Sequence, residues 1–398
     1  MSATMGARVI VDDNVVSIAD QVALTGPSLK FGSLQPPSWL LRHRVTIPEQ
    51  GASYVDRPEL VRRCMLTEQR ATLLVAPAGF GKTTLMADCC RRLVGTGTTV
   101  AWLSLDEQDK PTMLDTYLAF AFRLGGLDID QVDTESPLPG PFPSTHLLLH
   151  ALERHNAPCV IAFDELERLT DRDAVEVVNF LVKHSPACLR FVMSGREVPV
   201  GLDIAQLVLE GDSSVLTSRD LRFGRPEIAR FFDLKLTRRE LSAVAANSGG
   251  WPIALCIQRN SGGLEAEARV VRDIVESWLD SRFWRGFRPE DLELVLDVGL
   301  LEWIDAELLD EVFDEQDSMR RLEHMAPLEG MFEYVHDGSR EVWRLHPLVR
   351  HHCATKRRRE TPNRYRKVHR RIAQVLARRG ETLLAVRHAS EGSDPSLV

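Results

Sequence analysis

From Thr72 onward the chain alternates between two hydrophobic rhythms. Unbroken apolar runs occur at Thr72–Val75, Thr98–Leu105, Cys159–Phe163 and Leu189–Ser194, with shorter β-prone pieces at Ser214–Leu216 and Arg219–Phe223. A short apolar run bounded by turn residues is the pattern of a strand buried on both faces. Between the runs, residues 82–94, Thr112–Arg123 and Thr145–Arg154 repeat apolar positions at helical spacing, and a proline-rich loop, Pro137–Pro143, is inserted. Strands alternating with helices predict an α/β domain: a parallel sheet covered by helices, with ligands taken at the C-terminal strand ends. The two last β-prone pieces are expected to close that sheet.

Past Arg225 the rhythm becomes helical. Pro226-Glu227 opens a helix over Ile228–Phe232, and Thr237–Ala246 is a second, stopped by Asn247-Ser248-Gly249-Gly250. Trp251-Pro252 begins a third, with proline in its permitted first turn. Leu264–Phe283 reads as a longer amphipathic helix. Glu290–Val298, Asp305–Phe313 and Ser318–His324 are then helices, followed by strands Met331–Val335 and Glu341–Leu345. The Asp337-Gly338 pair between those strands is a hairpin signal. Three helices and a hairpin make a winged-helix unit. Beyond it, Val368, Ile372, Val375 and Leu376 form one apolar face, Gly380 stops that helix, and Leu383–Ala389 begins another. The predicted division is a leader over 1–40, an α/β domain over 41–224, a helical domain over 225–286, a winged helix over 287–353 and a basic helical pair over 354–398.

Composition narrows the class without changing this picture. The chain has 398 residues, 27% of them charged, and a net charge of -8. That balance weighs against wholesale nucleic-acid binding. The positive charge is concentrated, however, in Lys356-Arg357-Arg358-Arg359 and in Arg364, Arg366, Lys367, Arg370, Arg371, Arg378 and Arg379. This segment reads either as a solvated face complementing the acidic helices before it, or as a nucleic-acid contact. The seven cysteines are scattered with no C-x-x-C pair, as expected of reduced cytosolic thiols. His351-His352-Cys353 lie on a helix, where adjacent positions diverge, so no shared metal is expected. No apolar run has the length of a membrane span, and no secretory signal opens the chain.

The chemistry begins at Leu73–Leu85, Leu-Leu-Val-Ala-Pro-Ala-Gly-Phe-Gly-Lys-Thr-Thr-Leu. Strand, small-residue turn and helix start give a phosphate-binding loop its mechanism, because backbone N–H groups converge on one concavity. Gly79 and Gly81 allow the tight backbone, Lys82 reaches terminal phosphates, and the Thr83 hydroxyl can hold magnesium. Asp164-Glu165 ends an apolar run. Asp164 would hold magnesium through water, and Glu165 could orient or deprotonate the attacking water. Arg196 follows the next run and would lie near the terminal phosphate. Three other positions are left open by spacing alone. Arg57 in Val55-Asp56-Arg57-Pro58 belongs to a helix start or touches the base or ribose. Trp251-Pro252 is helix punctuation or a flat wall against a purine. His346 is a helix cap or a phosphate contact.

Together these residues resemble a known family. Ala76-Pro-Ala-Gly-Phe-Gly-Lys-Thr-Thr84, Ala101-Trp-Leu-Ser-Leu-Asp106, Asp164-Glu165, Leu221-Arg222-Phe223, Gly250-Trp251-Pro252 and Arg344-Leu-His-Pro-Leu348 are similar to the N-terminal part of MalT-like, large ATP-binding LuxR-family transcriptional regulators. These belong to the signal-transduction ATPases with numerous domains, and the resemblance runs from about Val45 onward. It implies ATP or ADP with Mg2+, held by Arg57, Ala78, Gly79, Phe80, Gly81, Lys82, Thr83, Thr84, Trp251, Pro252 and His346, with Thr83 and Asp164 on the metal. It implies a cytoplasmic switch that self-associates with ATP and resets by slow hydrolysis. Two residues depart from the family pattern: Ala76 replaces a glycine, and Glu165 stands where many relatives have aspartate. Such relatives continue into a helical repeat domain, whose first helices the basic pair resembles, and then to a DNA-binding helix-turn-helix. Inducer sensing and DNA contact are therefore expected outside this chain, in a missing C-terminal domain or another chain. The alternatives are a stand-alone ATPase or kinase, and DNA binding through the winged helix and basic segment.

Overall fold

The computed structural model describes residues 38–51, 54–64, 69–127, 142–260, 276–337 and 340–393. The leader over 1–37, most of the proline-rich loop, residues 264–275 of the long amphipathic helix, and Gly338 of the hairpin lie outside them.

Helix α1 (Pro58–Cys64) precedes strand β1 (Ala71–Val75). Then follow α2 (Lys82–Gly95), β2 (Thr99–Ser104), α3 (Pro111–Leu124), α4 (Pro143–His155), β3 (Cys159–Asp164), α5 (Arg172–Lys183), β4 (Leu189–Gly195), α6 (Ala205–Leu209) and β5 (Ser213–Thr217). The five strands form one parallel sheet in the order β2-β3-β4-β1-β5. Every residue of β3 is buried, as a central strand covered on both faces requires. This order matters for chemistry. β3, β4 and β1 are neighbours, so Asp164, Gly195-Arg196 and the loop after Val75 emerge side by side. The Ala76 N–H donates to Gly195 O at 3.2 Å, carrying the β1–β4 pairing into the loop itself.

The expected closing strand at Arg219–Phe223 is instead a helical turn, α7 (Ser218–Leu221). Asp220 decides it: its Oδ2 accepts from the Thr217 N–H at 2.9 Å and from the Thr217 hydroxyl at 3.2 Å. That capping box starts a turn where the short β-prone stretch suggested strand. Helices α8 (Arg225–Phe231), α9 (Arg238–Ser248) and α10 (Pro252–Asn260) follow. The described end of the long amphipathic helix is also irregular, a π turn at Leu279–Phe283 and a 3-10 turn at Trp284–Gly286. Phe283 and Trp284 are both buried, with ring centroids 4.8 Å apart. Adjacent α-helical positions diverge by a quarter turn, so burying both distorts the helix.

Helices Pro289–Val298, Ala306–Phe313 and Ser318–Glu323 pack with the antiparallel hairpin β6 (Phe332–Asp337) and β7 (Arg340–Leu345). A bridge from Ile304 to Trp343 adds the third strand position of a winged helix. Helix Pro347–Glu360 leads into Pro362–Arg378 and Thr382–Glu391. The last two are antiparallel, since Tyr365 near the start of one bonds Glu391 at the end of the other at 2.8 Å.

The basic segment meets the acidic helices directly. Arg357, 1% exposed, donates to Asp297 at 2.7 Å and to Glu293 at 2.9 Å. Arg364 reaches the other Asp297 oxygen at 2.6 Å, and Arg379 reaches Glu311 at 2.7 Å. These arginines pair with the acidic helices, although Arg357 is buried where a solvated face was expected. Leu41–Val398 forms one compact unit; of the other, Met1–Leu40, only residues 38–40 are described.

Candidate nucleotide site

The loop 76–81 turns on two left-handed glycines, Gly79 at φ 80° and Gly81 at φ 78°. Gly79 also has no room for a side chain. A Cβ there would stand 2.6 Å from Ile253 Cγ2, on the first turn of α10. Lys82 opens α2 and bends back over the loop, donating to Ala76 O at 2.6 Å and Pro77 O at 3.1 Å. Burial pushes its ammonium down from 10.5 to about 8, although Glu167, Asp164 and Glu165 act in the other direction. Carbonyl dipoles solvate this cation without neutralising it.

Asp164 carries the opposite imbalance. Its Oδ1 accepts from the Thr83 hydroxyl at 3.2 Å and from the Ser194 hydroxyl. Burial nevertheless holds its carboxyl above the usual range. Glu165 follows in left-handed backbone at φ 61°, a strained conformation for a non-glycine residue. Burial raises its pKa as well, against the opposing charge of Arg168 at 3.1 Å. Arg196 is held by Glu167 at 3.1 Å and donates to Arg282 O at 2.6 Å. A buried cation without a counter-ion, beside a buried acid paired with hydroxyls, fits an anion and a divalent cation bound together. Thr83 and Asp164 are the residues that would hold such a cation.

The helical segment closes on the loop. Gly249 and Gly250 are both left-handed, and a Cβ on Gly250 would meet Phe223 O at 2.5 Å. This turn delivers Trp251, whose Nε1–H donates to Ala78 O at 3.2 Å, and the Ile253 N–H donates to Gly79 O at 3.2 Å. Pro252 takes the first helical position. Trp251 is buried, tilted against Phe80 at 6.0 Å and edge-on to His346 at 5.1 Å. His346 Nε2–H donates to Ser248 O at 2.7 Å, and Nδ1 accepts from the Leu348 N–H at 3.2 Å. Burial pushes His346 down to about 4, so it is neutral at pH 7. His346 is thus a cap, one of the roles left open above, and it also props the Trp251 turn.

Lys82, Thr83, Asp164, Glu165 and Arg196 are brought together, with Trp251, Pro252 and His346 stacked behind the loop. Thr84, more exposed, occupies the first turn of α2. Arg57 is used elsewhere. Its guanidinium is bonded to Glu227 at 2.7 Å and to the carbonyls of Leu221 and Arg222 at 2.7 and 2.8 Å, under the Phe223 ring. It braces the start of the helical segment. Sequence reasoning missed Ser194, Glu167 and Arg282. Ser194 was legible in principle as the last polar residue of a buried run; Glu167 and Arg282 are surface-type residues whose role depends on what they face.

A five-stranded parallel sheet with this loop after β1 and an acid at the end of β3 is a P-loop NTPase fold, here joined to a winged helix. The particular resemblance is to MalT. Residues 282–365 match the MalT winged helix domain family. The chain resembles the HTH-type transcriptional regulator MalT of Cronobacter sakazakii, 26% identical over 354 residues, covering 83% of this chain and 38% of that one. It resembles MalT of Serratia proteamaculans at 25% over 385 residues, covering 90% of this chain and 41% of that one. The chain therefore spans well under half the length of these relatives. Among solved structures, it is similar to a signal transduction ATPase with numerous domains and a tetratricopeptide repeat sensor from Pyrococcus horikoshii. That match has a TM-score of 0.38 and 15% identity, covering 86% of this chain and 49% of that one. No helix among the described residues is long and apolar enough to cross a membrane, and none of them form a metal-binding cluster of His, Cys, Asp and Glu side chains.

Proposed function

We propose that this chain is the nucleotide-binding switch module of a MalT-type transcriptional regulator. It takes ATP or ADP with Mg2+ at the loop 76–84 and works in the cytoplasm. The observation that carries the reading is the junction at the loop. Backbone that would receive phosphate is bonded to the helical segment through Trp251 Nε1–H to Ala78 O and Ile253 N–H to Gly79 O. A ligand that reshapes the loop must act on that segment, and through Ser248 and His346 on the winged helix. Thr83 and Asp164 hold the metal, which supplies neutralising charge to phosphate oxygens. Lys82 binds terminal phosphate, Arg196 reports it, and Glu165 orients or deprotonates water for a slow hydrolysis. The nucleotide state then governs self-association, and DNA is contacted through another domain or chain.

The test uses the purified chain. ATP or ADP at 100 times its dissociation constant should stabilise it by about 2.7 kcal/mol, and Lys82→Ala should abolish the effect. A chain that neither retains nor is stabilised by adenine nucleotide refutes the proposal. Turnover near one per second or faster would instead favour a stand-alone ATPase or kinase.

A further inference from the structure

A cleft of about 670 Å³ opens where the end of α9, the winged helix and the last two helices meet, and no residue of the loop 76–84 lines it. Two half-buried guanidiniums face it without a carboxylate in ion-pair range among the described residues. Arg222 is bonded to the carbonyls of Gly249, at 2.8 Å, and Gly330. Among the described residues, the Arg350 side chain donates to Leu301 O, at 3.5 Å. The nearby carboxylate Glu302 is already taken by His388 at 2.8 Å and Arg387 at 3.2 Å.

The histidines of the same wall add a second observation. His388 Nε2–H donates to Glu302, which leaves His388 Nδ1 as an acceptor. His369 Nδ1–H then donates to it at 2.8 Å. The remaining nitrogen, His369 Nε2, carries a lone pair, has no partner, and belongs to a residue 6% exposed. Burial pushes His369 down to about 4, consistent with the neutral ring. A buried acceptor without a donor is rare and costly. The cleft is lined by the carboxylates of Glu302, Glu333 and Glu391 and by four arginines, and among these groups Arg222 and Arg350 are the guanidiniums held by carbonyls, beside the unfilled acceptor of His369.

We propose that this cleft binds a hydroxyl-bearing organic phosphate, with Arg222 and Arg350 on its oxygens and His369 Nε2 accepting its O–H. The site is separate from the P-loop, yet its wall includes Gly249, in the turn that seats Trp251, and His346, which bonds that turn at Ser248 O and packs edge-on against Trp251. Its occupancy would therefore bear on the same turn as the nucleotide.

Monohydrogen phosphate is the minimal probe, since it offers both charge and O–H. Sulfate, unprotonated at pH 7.5, offers charge alone. The full chain carrying Lys82→Ala, which removes the P-loop contact, is melted in chloride, sulfate and phosphate at matched ionic strength. Phosphate should raise Tm above sulfate, and Arg350→Gln should weaken phosphate binding at least about tenfold. Equal stabilisation by the two anions overturns the proposal, as does full phosphate affinity in Arg350→Gln. The comparison of anions stands even if that variant folds poorly. Because Lys82→Ala is present throughout, failure here leaves the nucleotide reading untouched.

Discussion

Under the proposed function, Lys82 should couple nucleotide binding to pH, with a size set by its burial. Its ammonium lies at about 8 against an ordinary 10.5 because burial, with only carbonyls as hydrogen-bond partners, outweighs the pull of Glu167, Asp164 and Glu165. At about 1.4 kcal/mol per pH unit, that burial costs about 3 kcal/mol while the lysine is charged. The folded-state pKa lies below the unfolded one, so this penalty is present in full below pH 8 and is relieved as pH rises from about 8 to 10.5. The lysine thus makes the free protein more stable across that window. Affinity for nucleotide runs the other way. A phosphate beside Lys82 restores the protonated form, so binding at pH 8 should take up about half a proton and binding at pH 9 nearly one. The dissociation constant should be about tenfold weaker at pH 9 than at pH 7. Titration calorimetry in buffers of differing ionisation enthalpy measures the uptake, with Lys82→Ala as the control. A binding heat independent of buffer at pH 8 refutes the reasoning, because the ammonium would then be ordinary in the free protein.

Gly79→Ala should loosen the junction and impair nucleotide binding, since its Cβ would stand 2.6 Å from Ile253 Cγ2; adding Ile253→Ala should recover part of the loss, and a double variant no better than the single one sinks the steric account. Asp297→Ala leaves the buried Arg357 with Glu293 as its one remaining carboxylate among the described residues and should cost about 3–5 kcal/mol in denaturant unfolding; a loss below about 1 kcal/mol would mean the network is dispensable. Glu165→Gln should retain nucleotide while slowing phosphate release in single turnover, and an unchanged rate removes Glu165 from hydrolysis. Mobility shifts at physiological salt should show no sequence preference for duplex DNA, because Arg357, Arg364 and Arg379 are ion-paired within the fold; specific binding that survives competitor would revive the DNA-binding alternative.

What the sequence by itself determined is local or periodic. Apolar runs of strand length, glycines at a tight turn, and acids or an arginine at strand ends each reflect a requirement met within a few residues. The parallel sheet, the phosphate loop, Asp164 and the hairpin of the winged helix were therefore legible. Arg219–Phe223 was misread because a capping bond from Asp220 outweighed β-propensity, a contest that apolar patterning does not display. Tertiary structure alone decided where the charged groups went. Arg57 faces carbonyls of Leu221 and Arg222, the basic helices face Asp297 and Glu311, and His369 is left with a bare nitrogen. A charge reveals its role only through what stands opposite it, and those partners lie tens to hundreds of residues away along the chain. The loop at Gly79 shows both sides: its residues announced a phosphate cradle, while the packing of Trp251 and Ile253 against it decided that the cradle is joined to the rest of the protein.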